Sequence, residues 1–200
     1  VAKILVACEY SGAVRDAFIG GGHDAWSCDL LPTDAPGPHI QGDVTAVLAQ
    51  GWDLMIAHPP CTYLSVSGMH WTTRGLRDPQ LTEDALAFVR LLLNAPIDRI
   101  ALENPVSVIS SRIRKPDQIV QPWMFGHDAS KQTCLWLKNL PLLRPTSVVE
   151  PRIVNGKPRW GNQTGSGQNK LGPSADRWKI RSATYAGIAA AMAEQWGRLL

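Results

Sequence analysis

The sequence predicts an α/β fold around a mostly parallel sheet. Two observations predict it. Short apolar runs alternate with helix-like segments through the first half of the chain, the order that builds parallel strands joined by crossover helices. Polar residues then recur just past the ends of those runs, at Glu9–Ser11–Gly12, Asp29, Asp43, Cys61 and Glu103–Asn104, the edge where parallel sheets bind ligands. At 200 residues, 44% hydrophobic and 18% charged, the chain can bury a substantial core, and its length argues against a large separate substrate domain.

Residues 3–8 (KILVAC) are the first strand. The following EYSGAVRDAFIGGG turns helical, with Val14, Ala17 and Phe18 on one side, and Gly20, Gly21 and Gly22 stop it. HDAWSCDL is a second strand reaching Asp29, and Leu31 to Pro38 is a loop. HIQGDV reads as a short edge strand with a turn, and TAVLAQG as a small helix. WDLMIAHPP is a third clear strand, ended by Pro59 and Pro60. Residues 62–80 lack a clean period and are expected to form a long loop. LTEDALAFVRLLLNAP is the best helix pattern, with Thr82 as its N-cap and Pro96 past its end. DRIALENP, the fourth clear strand, delivers Glu103 and Asn104. Beyond residue 110 the pattern suggests strands joined by loops, and the last stretch is a terminal helix with Ser182 or Thr184 near its start.

The net charge of +3 hides a split. Residues 1–150 carry 12 Lys/Arg against 15 Asp/Glu, whereas 151–200 carry 8 against 2. No apolar run is long enough to span a bilayer, so no membrane partner is expected. The first segment meets Glu9 and a glycine with no Ala-x-Ala exit, and reads as a strand and not a signal peptide. Cys8, Cys28, Cys61 and Cys134 lie far apart without C-x-x-C spacing, which points to reduced thiols, a cytoplasmic setting and no metal site. Cys8 and Cys28, in apolar strands, read as small core residues.

A dinucleotide site needs several glycines in the first turn, and Ser11-Gly12-Ala13 does not supply them. The three glycines at 20–22 follow the helix instead of opening it. Asp29 still suits the hydroxyls of a ribose, and Asp43 the amino group of an adenine. The pattern fits a nucleoside-containing cofactor without a pyrophosphate.

Pro59-Pro60-Cys61 and Glu103-Asn104-Pro105 resemble the prolylcysteine and Glu-Asn-Val motifs of the cytosine-C5 DNA methyltransferase family. ILVACEYSGAVRDAF is similar to that family's first cofactor motif, with Tyr10-Ser11-Gly12 in place of Phe-x-Gly, and Gly42-Asp43-Val44 resembles its Gly-Asp-Ile. Order and rough spacing agree over residues 3–105. The stretch from Lys131 to Thr146 and the Thr-Tyr-x-Gly-Ile-Ala segment at 184–189 look like compact, phage-type members without a large target-recognition domain. The resemblance implies a Rossmann-like methyltransferase fold, helices on both faces of its sheet, and S-adenosyl-L-methionine as cofactor. Tyr10, Ser11, Gly12, Asp29, Leu30, Asp43, Val44 and Pro59 would hold it.

The same resemblance implies catalytic roles for Cys61, Glu103 and Asn104. Cytosine C5 attacks a methyl group only after a thiolate has added at C6, which is covalent catalysis by an activated nucleophile. Cys61 is placed to be that thiolate, Glu103 to assist at N3, and Asn104 to order the loop. The substrate implied is double-stranded DNA with a flipped cytosine, with no obligate protein partner. Pro60, Ser65, Arg74, Arg77, Lys131, Arg152 and Trp160 are the expected contacts, and Gly68 and Gly75 would let the 62–80 segment close. The setting implied is the cytoplasm of a bacterial or phage-infected cell.

The sequence also departs from the family. The Gln-x-Arg-x-Arg motif has no clear match, leaving Lys131, Arg144 and Arg152 as substitutes. In place of a recognition domain stands a basic segment rich in Gly, Asn and Gln, which predicts short or relaxed sequence preference. The expected organisation is a cofactor-binding catalytic domain at 1–150, a small substrate-contacting insertion at 151–181, and a helix at 182–200 packing back. His58, just before the proline pair, reads as a packing residue or a strand-end hydrogen bond ahead of a pocket-lining residue. Competing functions are a transferase acting at C5 of a free cytosine nucleotide and an inactive DNA-binding relative.

Overall fold

Apolar on both faces, the runs at the centre of the chain can only be strands buried from two sides. In the computed structural model, which describes residues 1–200, they form a seven-stranded sheet. Its parallel part comprises β1 (Lys3–Ala7), β2 (Asp24–Asp29), β3 (His39–Gln41), β4 (Leu54–Ala57) and β5 (Arg99–Pro105). β6 (Gln118–Val120) and β7 (Thr133–Lys138) complete it in the order β3-β2-β1-β4-β5-β7-β6, with β7 antiparallel to both neighbours. A separate hairpin of β8 (Arg152–Val154) and β9 (Lys157–Arg159) turns through Asn155-Gly156, both at positive φ, as a two-residue hairpin loop requires.

Side-chain alternation divides the core in two. Ile4, Val6, Leu54 and Ile56 point to one face, where α1 (Ala13–Gly20) contributes Val14 and Phe18. Leu5, Ala7, Met55 and Ala57 point to the other. That second face is covered by α3 (Gln80–Leu93), through Leu86, Val89 and Leu92, and by α4 (Ile109–Arg112), through Ile109. α2 (Val66–Thr73) lies between β4 and α3 in the chain, and α5 (Arg177–Ser182) precedes α6 (Ala186–Gly197). α6 packs on the α1 face with Ile188, Met192 and Trp196. The indole N–H groups of buried Trp52, Trp136 and Trp196 donate to the carbonyls of Val47, Arg114 and Pro141 at 2.8, 2.8 and 2.9 Å, so each of the three indoles is satisfied in the core. No helix is long and apolar enough to cross a membrane.

Four local expectations need correction. Residues 62–80 are not a loop throughout, because Ser65 Oγ accepts from Gly68 N at 3.2 Å and starts α2. Thr82 is not an N-cap. α3 begins two residues earlier, and the Thr82 hydroxyl donates to Tyr63 O at 3.1 Å, tying α3 to the turn after Cys61. The small helix after β3 is a 3-10 turn over Val44–Ala46, opened by Asp43. Ser182 ends α5, and α6 starts after Tyr185.

Candidate active site

The sheet order leaves β1 in opposite directions towards β2 and towards β4, so the crevice outside the carboxyl ends of β1 and β4 is where a parallel sheet opens for ligands. His58 extends the β1–β4 ladder, donating its backbone N–H to Ala7 O at 2.9 Å, and Pro59 and Pro60 then end it. Cys61 O accepts from Leu64 N and Ser65 N at 3.1 and 2.9 Å, a tight turn that leaves Cys61 as the exposed cysteine of the four.

From the neighbouring strand β5, Asn104 Nδ2 donates to Pro59 O at 2.8 Å, and Glu103 Oε2 lies 2.9 Å from His58 Nδ1. Two side chains of β5 thus grip the residues leading to Cys61. Four buried side-chain polar atoms lack a partner, namely His58 Nε2, Asn104 Oδ1, Ser107 Oγ and Thr72 Oγ1. Folded proteins pair nearly all such atoms, and here three of the four exceptions lie within four residues of Cys61 or Glu103 in the chain, the fourth being in α2.

The charges are set by these contacts. Burial pushes the Cys61 thiol up and Glu103 adds to it, outweighing Lys131 and Arg181, so the resting sulfur is a thiol. Burial would raise Glu103, but the His58 hydrogen bond and charge hold its carboxyl below the usual range. Burial would lower His58, and Glu103, with Glu9 behind it, more than reverses this. The resting site therefore holds a thiol and a carboxylate, with an imidazole whose proton affinity is raised by that carboxylate. Cys8 and Cys28 are pushed up to about 12 and about 11 by burial, with Asp29 and Asp43 adding, which makes both poor nucleophiles. Cys8 is half-buried, packs against the edge of the core as expected, and is left-handed at φ 59° where the chain turns out of β1.

On the cofactor side, buried Glu9 accepts from Val14 N at 2.7 Å and Arg15 N at 3.2 Å, and Ser11 Oγ from Ala13 N at 3.3 Å. An internal carboxylate thus occupies the helix N-terminus where a pyrophosphate would dock, in keeping with a cofactor that has none. Gly12 is left-handed at φ 77°, and a Cβ there would come 2.5 Å from the Arg15 guanidinium. Arg15 is fully buried, bonded to Asp16, Ser27, Thr33 and the carbonyls of Ala35 and Pro36 at 2.8–3.2 Å.

Asp29 and Asp43 stand at the ends of β2 and β3. One oxygen of each accepts from a backbone N–H, of Leu31 and of Thr45, at 2.9 Å, and the Thr45 bond holds Asp43 below its ordinary value. Each keeps a second oxygen for a hydroxyl pair or an amino group, so this donor set fits a nucleoside. Leu30 is exposed and Val44 and Pro59 are buried beside them. Tyr10 is buried under α5, its hydroxyl 2.8 Å from Ser182 Oγ and its ring 5.6 Å from Trp178.

The expected substrate contacts divide. Pro60 is exposed beside Cys61, Ser65 caps α2, and Arg74 is exposed at its end. Arg77 donates to Thr62 O at 3.1 Å over the Tyr63 ring, which stiffens the segment. Lys131 Nζ donates to Arg181 O at 2.7 Å, and its charge acts on Cys61, Glu103 and His58 together. Arg144, by contrast, pairs its backbone with Gln195 of α6, and Arg152 bonds Gln163 O beside the hairpin. Trp160 stacks on Trp123 at 5.3 Å and 14°, with its indole on Val149 O. Sequence reasoning missed the parts played by Arg15 and Arg181, whereas Glu9 stood among the strand-end polar residues and the strand-end hydrogen bond expected of His58 is the one it makes to Glu103. The position of His58 just before two prolines at a strand end was the signal for that bond.

No protein-family model and no curated protein matches the chain. Solved structures are similar to it. The Entamoeba histolytica methyltransferase EhMeth is 13% identical over 74% of this chain and 58% of its own, with a TM-score of 0.51. A DNA modification methyltransferase encoded within an E. coli prophage is 13% identical over 74% and 52%, TM-score 0.48. The S. pombe Dnmt2 methyltransferase is 15% identical over 71% and 50%, TM-score 0.45. The chain spans about half the length of these structures. Identity this low speaks for architecture alone: a central, largely parallel sheet with flanking helices, which is a Rossmann-like methyltransferase fold.

Proposed function

We propose that the chain transfers a methyl group from S-adenosyl-L-methionine to C5 of cytosine in DNA, through a covalent bond between Cys61 and C6. The observation that carries this reading is the grip of β5 on the Cys61 turn, which sets the exposed thiol beside a buried carboxyl at the ligand edge of the sheet. S-adenosyl-L-methionine, held by Asp29, Asp43 and the Tyr10–Gly12 turn, supplies an electrophilic methyl group when bound.

Cys61 gives its proton to water at the open mouth and its sulfur bonds to C6. The C5=C6 electron pair moves onto C5 and towards N3, where Glu103 delivers a proton. Asn104 keeps Pro59, and with it the sulfur, at a fixed height. After the methyl has joined C5, water takes the C5 proton, N3 hands its proton back to Glu103, the C5=C6 double bond re-forms and sulfur leaves as thiolate. Lys131 is the cation for cytosine O2, ranked above Arg144 and Arg152 by its charge on the three central groups. Residues 1–150 hold the chemistry, 151–181 meet the phosphate backbone of DNA with a flipped cytosine, and 182–200 close the fold.

The test incubates the protein with tritiated S-adenosyl-L-methionine and duplex DNA, dCMP or CMP. Label in DNA that vanishes in Cys61→Ala is expected. Label confined to the nucleotides would replace DNA with a free nucleotide, and no label anywhere would leave a binding protein.

A further inference from the structure

The His58–Glu103 contact poses a problem for the reaction above. Glu103 must hand a proton to N3, yet in the resting site it is a carboxylate with no proton to give. Its hydrogen-bond partner has one. His58 Nδ1 is 2.9 Å from Glu103 Oε2, both side chains are nearly enclosed, and the strand-to-strand bonding of β4 and β5 holds them together. The other ring nitrogen, Nε2, is buried and has no acceptor, so Nδ1 is the route by which a proton can leave the ring. Buried polar pairs seldom stabilise more than well-packed apolar residues would, and stability alone does not account for an imidazole set against a carboxylate here.

Resting on the methyltransferase reading, we propose that His58 is a positioning residue that stores the proton Glu103 delivers to the substrate ring. As the sulfur–C6 bond forms, the proton passes from His58 Nδ1 to the Glu103 carboxyl and from the carboxyl to N3. His58 is left neutral, and elimination returns the proton by the same path. The charged groups facing His58 are Glu103 on β5, Glu9 after β1 and Lys131 before β7. The two carboxylates favour the imidazolium and the ammonium opposes it, while burial opposes it too; the imidazole nevertheless sits above its ordinary value of 6.5.

Activity must then fall as pH rises through that raised value, because the store empties, while the thiolate of Cys61 accumulates with pH. The expected wild-type profile of kcat/KM is a bell. His58→Asn keeps an N–H donor close to the Nδ1 position but cannot titrate. It is expected to lower methyl transfer at neutral pH by about 10²-fold and to abolish the alkaline fall, with S-adenosyl-L-methionine affinity unchanged. Combined with Glu103→Gln, it should cost nothing further.

A His58→Asn protein with wild-type rate and an intact alkaline fall overturns the store while leaving the methyltransferase reading in place. Wild-type protein without Cys61-dependent transfer overturns both. Should His58→Asn fail to fold, the His58 ring is followed by NMR in the wild type. A titration coinciding with the alkaline limb supports the store, and one displaced from it overturns it.

Discussion

The carboxyl ends of β4 and β5 and the basic segment 151–181 would carry the chemistry and the substrate respectively, and they are held in opposite ways. At the strand ends, His58 meets Glu103 and Asn104 meets Pro59 across 45 residues of sequence, inside the sheet's own hydrogen bonding. The basic segment is held from outside, by polar contacts to the loop before β7 and by the stack of Trp160 on Trp123. Gly161 N donates to Asp128 at 2.6 Å, Ser130 N to Asn162 at 2.9 Å, and Asn162 Nδ2 back to Ser130 O at 2.9 Å. The difference follows from the two tasks. Bond making needs atoms fixed to a fraction of an ångström, whereas a phosphate backbone needs positive charge at roughly the right spacing.

Removing the proton path should expose the first kind of dependence most strongly. Glu103→Gln keeps the size of the side chain but cannot pass a proton, and transfer is expected to fall by about 10²–10⁴-fold with cofactor affinity retained. Single-turnover transfer and calorimetric binding of S-adenosyl-L-methionine separate the two. A loss of binding as large as the loss of rate would mean that Glu103 shapes the cofactor side instead.

The basic segment should respond gradually. Arg152, Lys157 and Arg159 are carried by the hairpin, and Arg152→Ala/Lys157→Ala/Arg159→Ala is expected to leave kcat near wild type while weakening DNA binding. The slope of log affinity against log salt should fall by about 0.9 for each phosphate that the variant no longer neutralises. An unchanged slope, measured by anisotropy titration across salt concentrations, would move the DNA surface off the hairpin and onto the Arg74 side of α2.

The same contrast explains what could be read in the sequence. The strands were legible because doubly buried strands are continuous apolar runs, and Cys61, Glu103 and Asn104 because they directly follow or end such runs. α2 was not, since Gly68 is its one buried residue and the helix has no apolar stripe to betray it. Gly68 is there because Thr62 O lies where a side chain would be. The burial of Arg15 on α1 has no local signal, because the loop that satisfies its guanidinium, residues 33–36, lies about 20 residues further on. His58 has its partner on another strand, and Tyr10 is covered by Ser182, 172 residues away. Local pattern reports what a residue's own element needs and is silent on contacts between elements.

Trp160 is the residue on which the two regions make different demands, and its substitution is expected to give the smallest effect. As an aromatic in a basic segment it suits base stacking, which is worth about 1–3 kcal/mol per base. In the fold its ring is already parallel to Trp123, and its N–H bonds Val149 O at 3.3 Å. An indole with one face against another ring has only its second face to offer. Trp160→Ala should therefore cost stability, about 0.5–1.5 kcal/mol for the aromatic pair beyond the area uncovered, seen as a drop of a few degrees in Tm. Trp123→Ala should cost a similar amount, and the double variant less than the sum, because the two rings share a single stack. If DNA affinity in Trp160→Ala falls tenfold or more while Tm holds, the stack opens for substrate, and the basic segment is part of the reacting site and not merely its approach.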